Sequence, residues 1–337
     1  MLPDQMPAAG TTTVAAIQQE ARLADVPANL AMCEQLATAA ASKGAEIIVL
    51  PEFFTTGMGF VAELADCALP PDGAATTLLT DLARRHRVLV GGSFLCRATD
   101  GEVYNRFLLA TPDGVVGEHD KDLPTMWENC FYVGGADDGV LPDVGFTPGA
   151  AVCWEFMRTQ TAHRMRGRVD VVLGGSCWWS VPAWWPRRVT AAWQDRNAAT
   201  AAAAAPAFAR LVGAPVVHAA HCGTLTCRLP GTPLTYRGHL EGGAVIAAAD
   251  GTVLARRDRT QGAGFALAEI TIGRTAPADP VPAGFWLHPR GPLPAVAWAY
   301  QNPLGRRWYA RHQPSRAGTV GSANAESIAS TQNTPAR

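Results

Sequence analysis

Glu52, Lys121 and Cys153 each stand where a short apolar or alternating run gives out. The run 46–50 leads into Pro51-Glu52, the run ending near Glu118 delivers Lys121, and the run from Ala150 ends on Cys153 itself. In open α/β sheets, functional groups gather where strands end. A carboxylate, an ammonium and a thiol make a coherent set. The carboxylate can take the thiol proton, and the ammonium can stabilise negative charge that develops during nucleophilic attack. Lysine is scarce in this chain: of 28 basic residues only Lys43 and Lys121 are lysine. Arginine does not replace lysine as a compact, titratable ammonium, so each lysine is informative.

The elements that must position these residues follow from hydrophobic periodicity. Strands are expected over 12–18, 46–50, 88–96, 103–110, 150–153, 169–174, 215–219, 244–248, 253–256 and 265–270, with helices over 26–42, 74–86 and 159–166. Residues 186–212 read as an Ala-rich helix that Pro206 should kink or split. Strands interleaved with helices define an α/β class, and the turns at Asp113-Gly114 and Asp250-Gly251 make the sheet mixed rather than wholly parallel. No change of composition divides 12–272, which reads as one domain. Residues 1–11 read as a flexible leader, 273–313 as an irregular C-terminal extension and 314–337 as a disordered tail.

At 337 residues the chain can bury a large core. Its 48% hydrophobic and 17% charged residues exclude general disorder, and a net charge of −1 supplies no basic field for nucleic acid. The eight cysteines are scattered, and no basic segment precedes Arg22. No apolar run reaches the ~20 residues of a membrane span. The expectation is a cytoplasmic protein with free thiols and no membrane partner.

Three motifs extend this reading by resemblance. Pro51-Glu52-Phe53-Phe54 resembles the catalytic-glutamate segment of the nitrilase, or carbon–nitrogen hydrolase, superfamily. Lys121-Asp122-Leu123-Pro124-Thr125, with Glu128 seven residues on from Lys121, is similar to its lysine motif and supporting glutamate. Gly149-Ala150-Ala151-Val152-Cys153-Trp154-Glu155 is similar to its nucleophile elbow. Gly91-Gly92-Ser93-Phe94 and Tyr104-Asn105 also match habitual positions. The motifs stand in family order, and the similarity runs over 12–270. Cys-Trp-Glu and Pro-Thr lean toward the nitrilase branch. Phe156-Met157-Arg158 departs from the usual continuation of Asn followed by Met-Pro.

The resemblance implies an αββα sandwich, no cofactor and a homo-oligomer; no metal is expected. It implies hydrolysis of a nitrile or amide to a carboxylic acid and ammonia. Cys153 is then the nucleophile, Glu52 the general base, and Lys121 with the Trp154 backbone N–H the stabiliser of the anion. Glu128 holds Lys121 or positions substrate. An acyltransferase on the same thioester, or a non-catalytic interaction protein on the same fold, are the alternatives.

Other candidates compete. His119 is a second base for a cysteine nucleophile. His218, His221, Cys222 and Cys227 form a pattern with no familiar structural-zinc spacing. Seven of the ten tryptophans lie between 127 and 193. Trp178 and Trp179 follow the strand 169–174, and are expected to wall the substrate pocket, which suits an apolar substrate.

Overall fold

The computed structural model describes residues 10–183, 187–288 and 292–312. The chain runs β1 (Thr11–Gln19), α1 (Val26–Ala41), β2 (Ile47–Val49), α2 (Ala74–His86), β3 (Leu89–Arg97), β4 (Val103–Thr111) and β5 (Gly114–Asp120). It continues β6 (Pro148–Val152), α3 (Thr159–Met165), β7 (Val171–Ser176), α4 (Arg187–Val212), β8 (Val216–His221), β9 (Thr224–Arg228) and β10 (Thr235–His239). It closes with β11 (Gly242–Ala247), β12 (Val253–Asp258), β13 (Gly264–Thr271) and α5 (Pro292–His312).

Two runs of strands are formed. One is β5–β4–β3–β2–β1–β13 and the other β12–β11–β8–β7–β6. They join where Gln18 and Gln19 pair with Ala220 and His221. Both parallel and antiparallel pairs occur, as the Asp-Gly turns require. Successive strand side chains point to opposite faces. Val14, Ala16, Ile47 and Val49 therefore share a core with Ala150, Val152, Leu173 and Val217 of the other run. Ala15, Ile17, Ile48 and Leu50 turn the other way, onto Cys33 and Ala37 of α1 and Leu79 and Leu82 of α2. Phe208, Ala209 and Val212 of α4 and Ala162 of α3 cover the second run. The result is the expected αββα sandwich. Burial on both faces explains why these strands read as continuous apolar runs.

Three expectations are corrected. α4 is not split at Pro206 but runs through it as one helix of 26 residues. A mid-helix proline costs about 3 kcal/mol; here it lies between Ala204, Ala205, Phe208 and Ala209, whose burial in the core offsets that cost. Residues 273–313 are not irregular throughout, because α5 occupies 21 of them. Its prolines at 292 and 294 suit a first turn whose N–H groups have no helical partner. Its apolar pattern is broken by Pro303, so periodicity does not reveal it. The leader is shorter than expected, since β1 already includes Thr11; residues 1–9 and the tail 313–337 lie outside the described residues. The β9–β10 hairpin, a separate two-stranded sheet, is also additional. Among the described residues no helix is long and apolar enough to cross a membrane.

Candidate active site

Glu52 sits just after β2, Lys121 just after β5 and Cys153 just after β6, so three strand ends meet at one point. The Lys121 ammonium donates to Glu52 Oε1 at 2.8 Å and to Glu128 Oε2 at 2.7 Å. Acceptor atoms of Glu52, Glu128 and Cys153 lie within 4.8 Å of one another. Lys121, Glu52 and Glu128 are fully buried, and Cys153 is 3% exposed. The ammonium stands where a cation between the two carboxylates would stand.

Each group is held by neighbours the sequence reading leaves unused. Asn105 Nδ2 donates to Glu52 Oε1 at 2.9 Å, and the Cys177 backbone N–H donates to Oε2 at 2.8 Å. His221 Nε2 donates to the Glu52 carbonyl at 2.6 Å. Glu128 Oε2 accepts from the Thr125 backbone N–H at 2.8 Å and from the Tyr132 hydroxyl. Burial alone would depress the lysine, but Glu128 and Glu52 outweigh it and hold its pKa well above the ordinary value. Burial, reinforced by the Glu52 charge, pushes the Cys153 thiol up against the opposing pull of Lys121. The thiol therefore needs a proton acceptor beside it in order to react.

Backbone conformation marks the same place. Cys153 has φ +54°, Phe53 after Glu52 has +53°, and Met126 before Glu128 has +53°. Non-glycine residues in this region cost of order 1–3 kcal/mol and persist where the surroundings over-determine them. At Cys153 the determinant is Glu155. Its Oε2 accepts from the Val152 backbone N–H at 2.7 Å and from His119 Nε2 at 2.9 Å, and its Oε1 from the Asp122 backbone N–H at 3.0 Å. One carboxylate thus clips the cysteine turn to the residue after Lys121. The clue in the sequence is the Cys-Trp-Glu triplet, but its target is a distant backbone that spacing does not show.

His119 belongs to this clip. Its other ring nitrogen meets Asp137, so both of its nitrogens are engaged by carboxylates rather than by Cys153. Burial would lower its pKa, but Glu155 and Asp137 override this and raise it to about 10. A raised histidine stabilises fully below its unfolded value of ~6.5 and loses that stabilisation as pH climbs through about 10. In urea titrations, the stability gap between the parent and His119→Gln is expected to narrow by up to about 4 kcal/mol from pH 6.5 to 10.5. A gap that does not change with pH would overturn this.

The histidine–cysteine pattern does not converge. His218 packs its ring on Phe156, while His221 turns to Glu52. Burial lowers both histidines to about 4, so they stay neutral. All eight cysteines are unpaired.

Cys153 opens onto a cavity of about 110 Å³ that is also lined by Trp154, Trp178 and Trp179. Trp178 Nε1 donates to Asn197 Oδ1 at 3.1 Å and Trp179 Nε1 to the Met58 carbonyl at 3.1 Å, which locks both rings. Trp184 and Trp185 lie outside the described residues. Trp127, Tyr236 and three residues of α5 (Pro294, Ala297 and Gln301) complete much of the wall and were not anticipated. Among the described residues that line the cavity, none carries a charged side chain.

The chain belongs to the carbon–nitrogen hydrolase family, whose model matches residues 13–279. It is 31% identical over 160 residues to a nitrilase of Pyrococcus abyssi, a match covering 45% of this chain and 59% of that protein. It is 31% identical over 193 residues to the omega-amidase YafV of Yersinia enterocolitica, covering 57% of this chain and 70% of that one. The chain thus spans a little over half the length of the nitrilase it matches. Among solved structures it resembles XC1258 from Xanthomonas campestris, described as a CN-hydrolase superfamily protein. That likeness has a TM-score of 0.58 and 21% identity over 78% of this chain and 91% of the other.

Proposed function

We propose that the protein hydrolyses small, uncharged nitriles or amides to carboxylic acids and ammonia through a covalent thioester on Cys153. The observation that supports this reading best is the cavity: a nucleophile beside Glu52 and Lys121, under aromatic walls whose described residues include no cationic side chain. A carboxylate-bearing amide would find no cationic partner among those described residues and would lose its hydration. An engineered apolar cavity of about 150 Å³ admits benzene, so about 110 Å³ suits a group no larger than a small ring.

In the proposed sequence, Glu52 takes the Cys153 proton as sulfur attacks the nitrile or amide carbon. An ammonium has three N–H bonds; two of those on Lys121 hold Glu52 and Glu128, and the third, with the Trp154 backbone N–H, meets the developing anion. A nitrile first gives a thioimidate, to which water adds. Glu52 returns its proton to the departing nitrogen, ammonia leaves and the thioester remains. Glu52 then activates a second water, which releases the acid and restores the thiol.

The test is ammonia release from a panel of neutral nitriles, neutral primary amides and acidic monoamides, with Cys153→Ala as control. Release is expected from neutral members and is expected to vanish in the variant. Acidic members turned over faster than neutral ones would overturn the substrate class, and equal release by Cys153→Ala would overturn the mechanism.

A further inference from the structure

We propose that Gln301 of α5, together with Trp127, recognises a hydroxyl group on the substrate at the end remote from the reacting carbon. This rests on the reading of the cavity as the substrate site. The Gln301 side chain is 5% exposed, lines the cavity that holds Cys153, and leaves its Oε1 buried without a hydrogen-bond partner. Trp127 lines the same cavity and leaves its Nε1 buried and unpaired. An unsatisfied buried polar atom costs about 1–3 kcal/mol, and native structures leave few of them. Here two lie on the walls of one small apolar cavity, and they are of opposite kind: an N–H donor and a carbonyl acceptor. A hydroxyl accepts one hydrogen bond while donating another, so it complements the pair. Trp127 is packed against Trp179 and Tyr236, which fixes its N–H, while the terminal torsion of the Gln301 amide is soft and lets a ligand draw Oε1 toward it.

The position of Gln301 is fixed by its helix. The Asn129 side-chain N–H donates to Asn302 Oδ1 at 3.2 Å, and Trp298 stacks on Trp154 with ring planes 3° apart. Gly305 lies so close to Asn129 that an added Cβ would come within 2.6 Å of its side chain. α5 is thereby seated on the turn Met126–Cys130, which carries both Trp127 and Glu128.

The experiment uses full-length Cys153→Ala protein and two matched pairs: benzonitrile with 4-hydroxybenzonitrile, and butyronitrile with 4-hydroxybutyronitrile. Binding is read from the intrinsic fluorescence of the cavity tryptophans. In at least one pair the hydroxylated compound is expected to bind about tenfold tighter, the worth of about 1.4 kcal/mol of hydrogen bonding. Adding Gln301→Leu is expected to erase that preference and leave the unsubstituted compound within about twofold. Gln301→Met, which keeps the chain length, repeats the measurement should the leucine variant fail to fold. No preference in either pair overturns the proposal, as does an equal loss for both members of a pair in the Gln301 variants. Because binding is read without turnover, a hydroxyl preference alongside a parent protein that releases no ammonia sinks the hydrolytic reading and leaves this one standing.

Discussion

Lys121→Arg is expected to slow ammonia release by at least about 10²–10³-fold, the scale on which lost stabilisation of a developing anion is felt. The variant keeps a positive charge between Glu52 and Glu128, so the buried carboxylates are not left without a counter-ion. What changes is shape. The ammonium reaches both carboxylates at 2.7–2.8 Å from one atom and has a third N–H to spare. A guanidinium spreads its donors over a rigid plane, and in a fully buried site overpacking costs about 1–3 kcal/mol. The fold should survive with a lowered melting temperature. Lys43, exposed beyond the end of α1, is the internal control: Lys43→Arg should match the parent in rate and melting. Substantial turnover by Lys121→Arg would show that the scarcity of lysine reflects composition alone.

The second large effect is expected at a residue that touches no reacting atom. Glu155→Ala would strand the Val152 and Asp122 N–H groups and leave His119 with a single carboxylate. Breaking a buried ionic network from one side costs about 3–5 kcal/mol. Denaturant unfolding should show a loss of that order. Turnover should fall in protein that remains folded, because Glu155 ties the Val152 N–H at the left-handed Cys153 turn to the segment after Lys121, whereas Arg158, which also reaches Asp122 and Leu123, stands at the far end of that turn. Glu155→Gln retains an acceptor and should recover part of the stability. A stable Glu155→Ala variant with parental turnover would remove Glu155 from its positioning role.

These residues show where sequence reasoning reaches and where it stops. Glu52, Lys121, Cys153 and Glu128 were legible because strand ends and motif order are local signals, and the structure brings all four together. The α2 boundaries 74–86 agree because its apolar spacing and basic last turn are local too. Glu155 was visible only as a letter in a triplet, since its partners are two backbone N–H groups and the His119 ring, up to 36 residues away. Asn105 was noted as half of a Tyr-Asn pair but without its contact to Glu52, and Tyr132 and the Cys177 N–H escaped altogether, for the same reason. Positive φ at Phe53, Met126 and Cys153 has no signature in side-chain type. α5 escaped because its prolines break the helical pattern, while its seating depends on a glycine-to-asparagine contact 176 residues apart in the chain.

The pairing of β1 with β13 carries a consequence for how the molecule comes into being. Thr11 lies opposite Thr271 and Gln18 opposite Gly264, so one of the first strands made is neighbour to the last. At ~5–20 residues per second of synthesis, β1 waits roughly 10–50 s before that neighbour emerges. Throughout the wait an apolar strand presents an unpaired edge, the kind of surface on which chains aggregate. Glu52, Lys121 and Cys153 all leave the ribosome within that interval, before the first run of strands can be completed. Pairing over so long a separation also slows refolding from denaturant. Expression at lower temperature or with chaperones should therefore raise soluble yield without altering the finished fold.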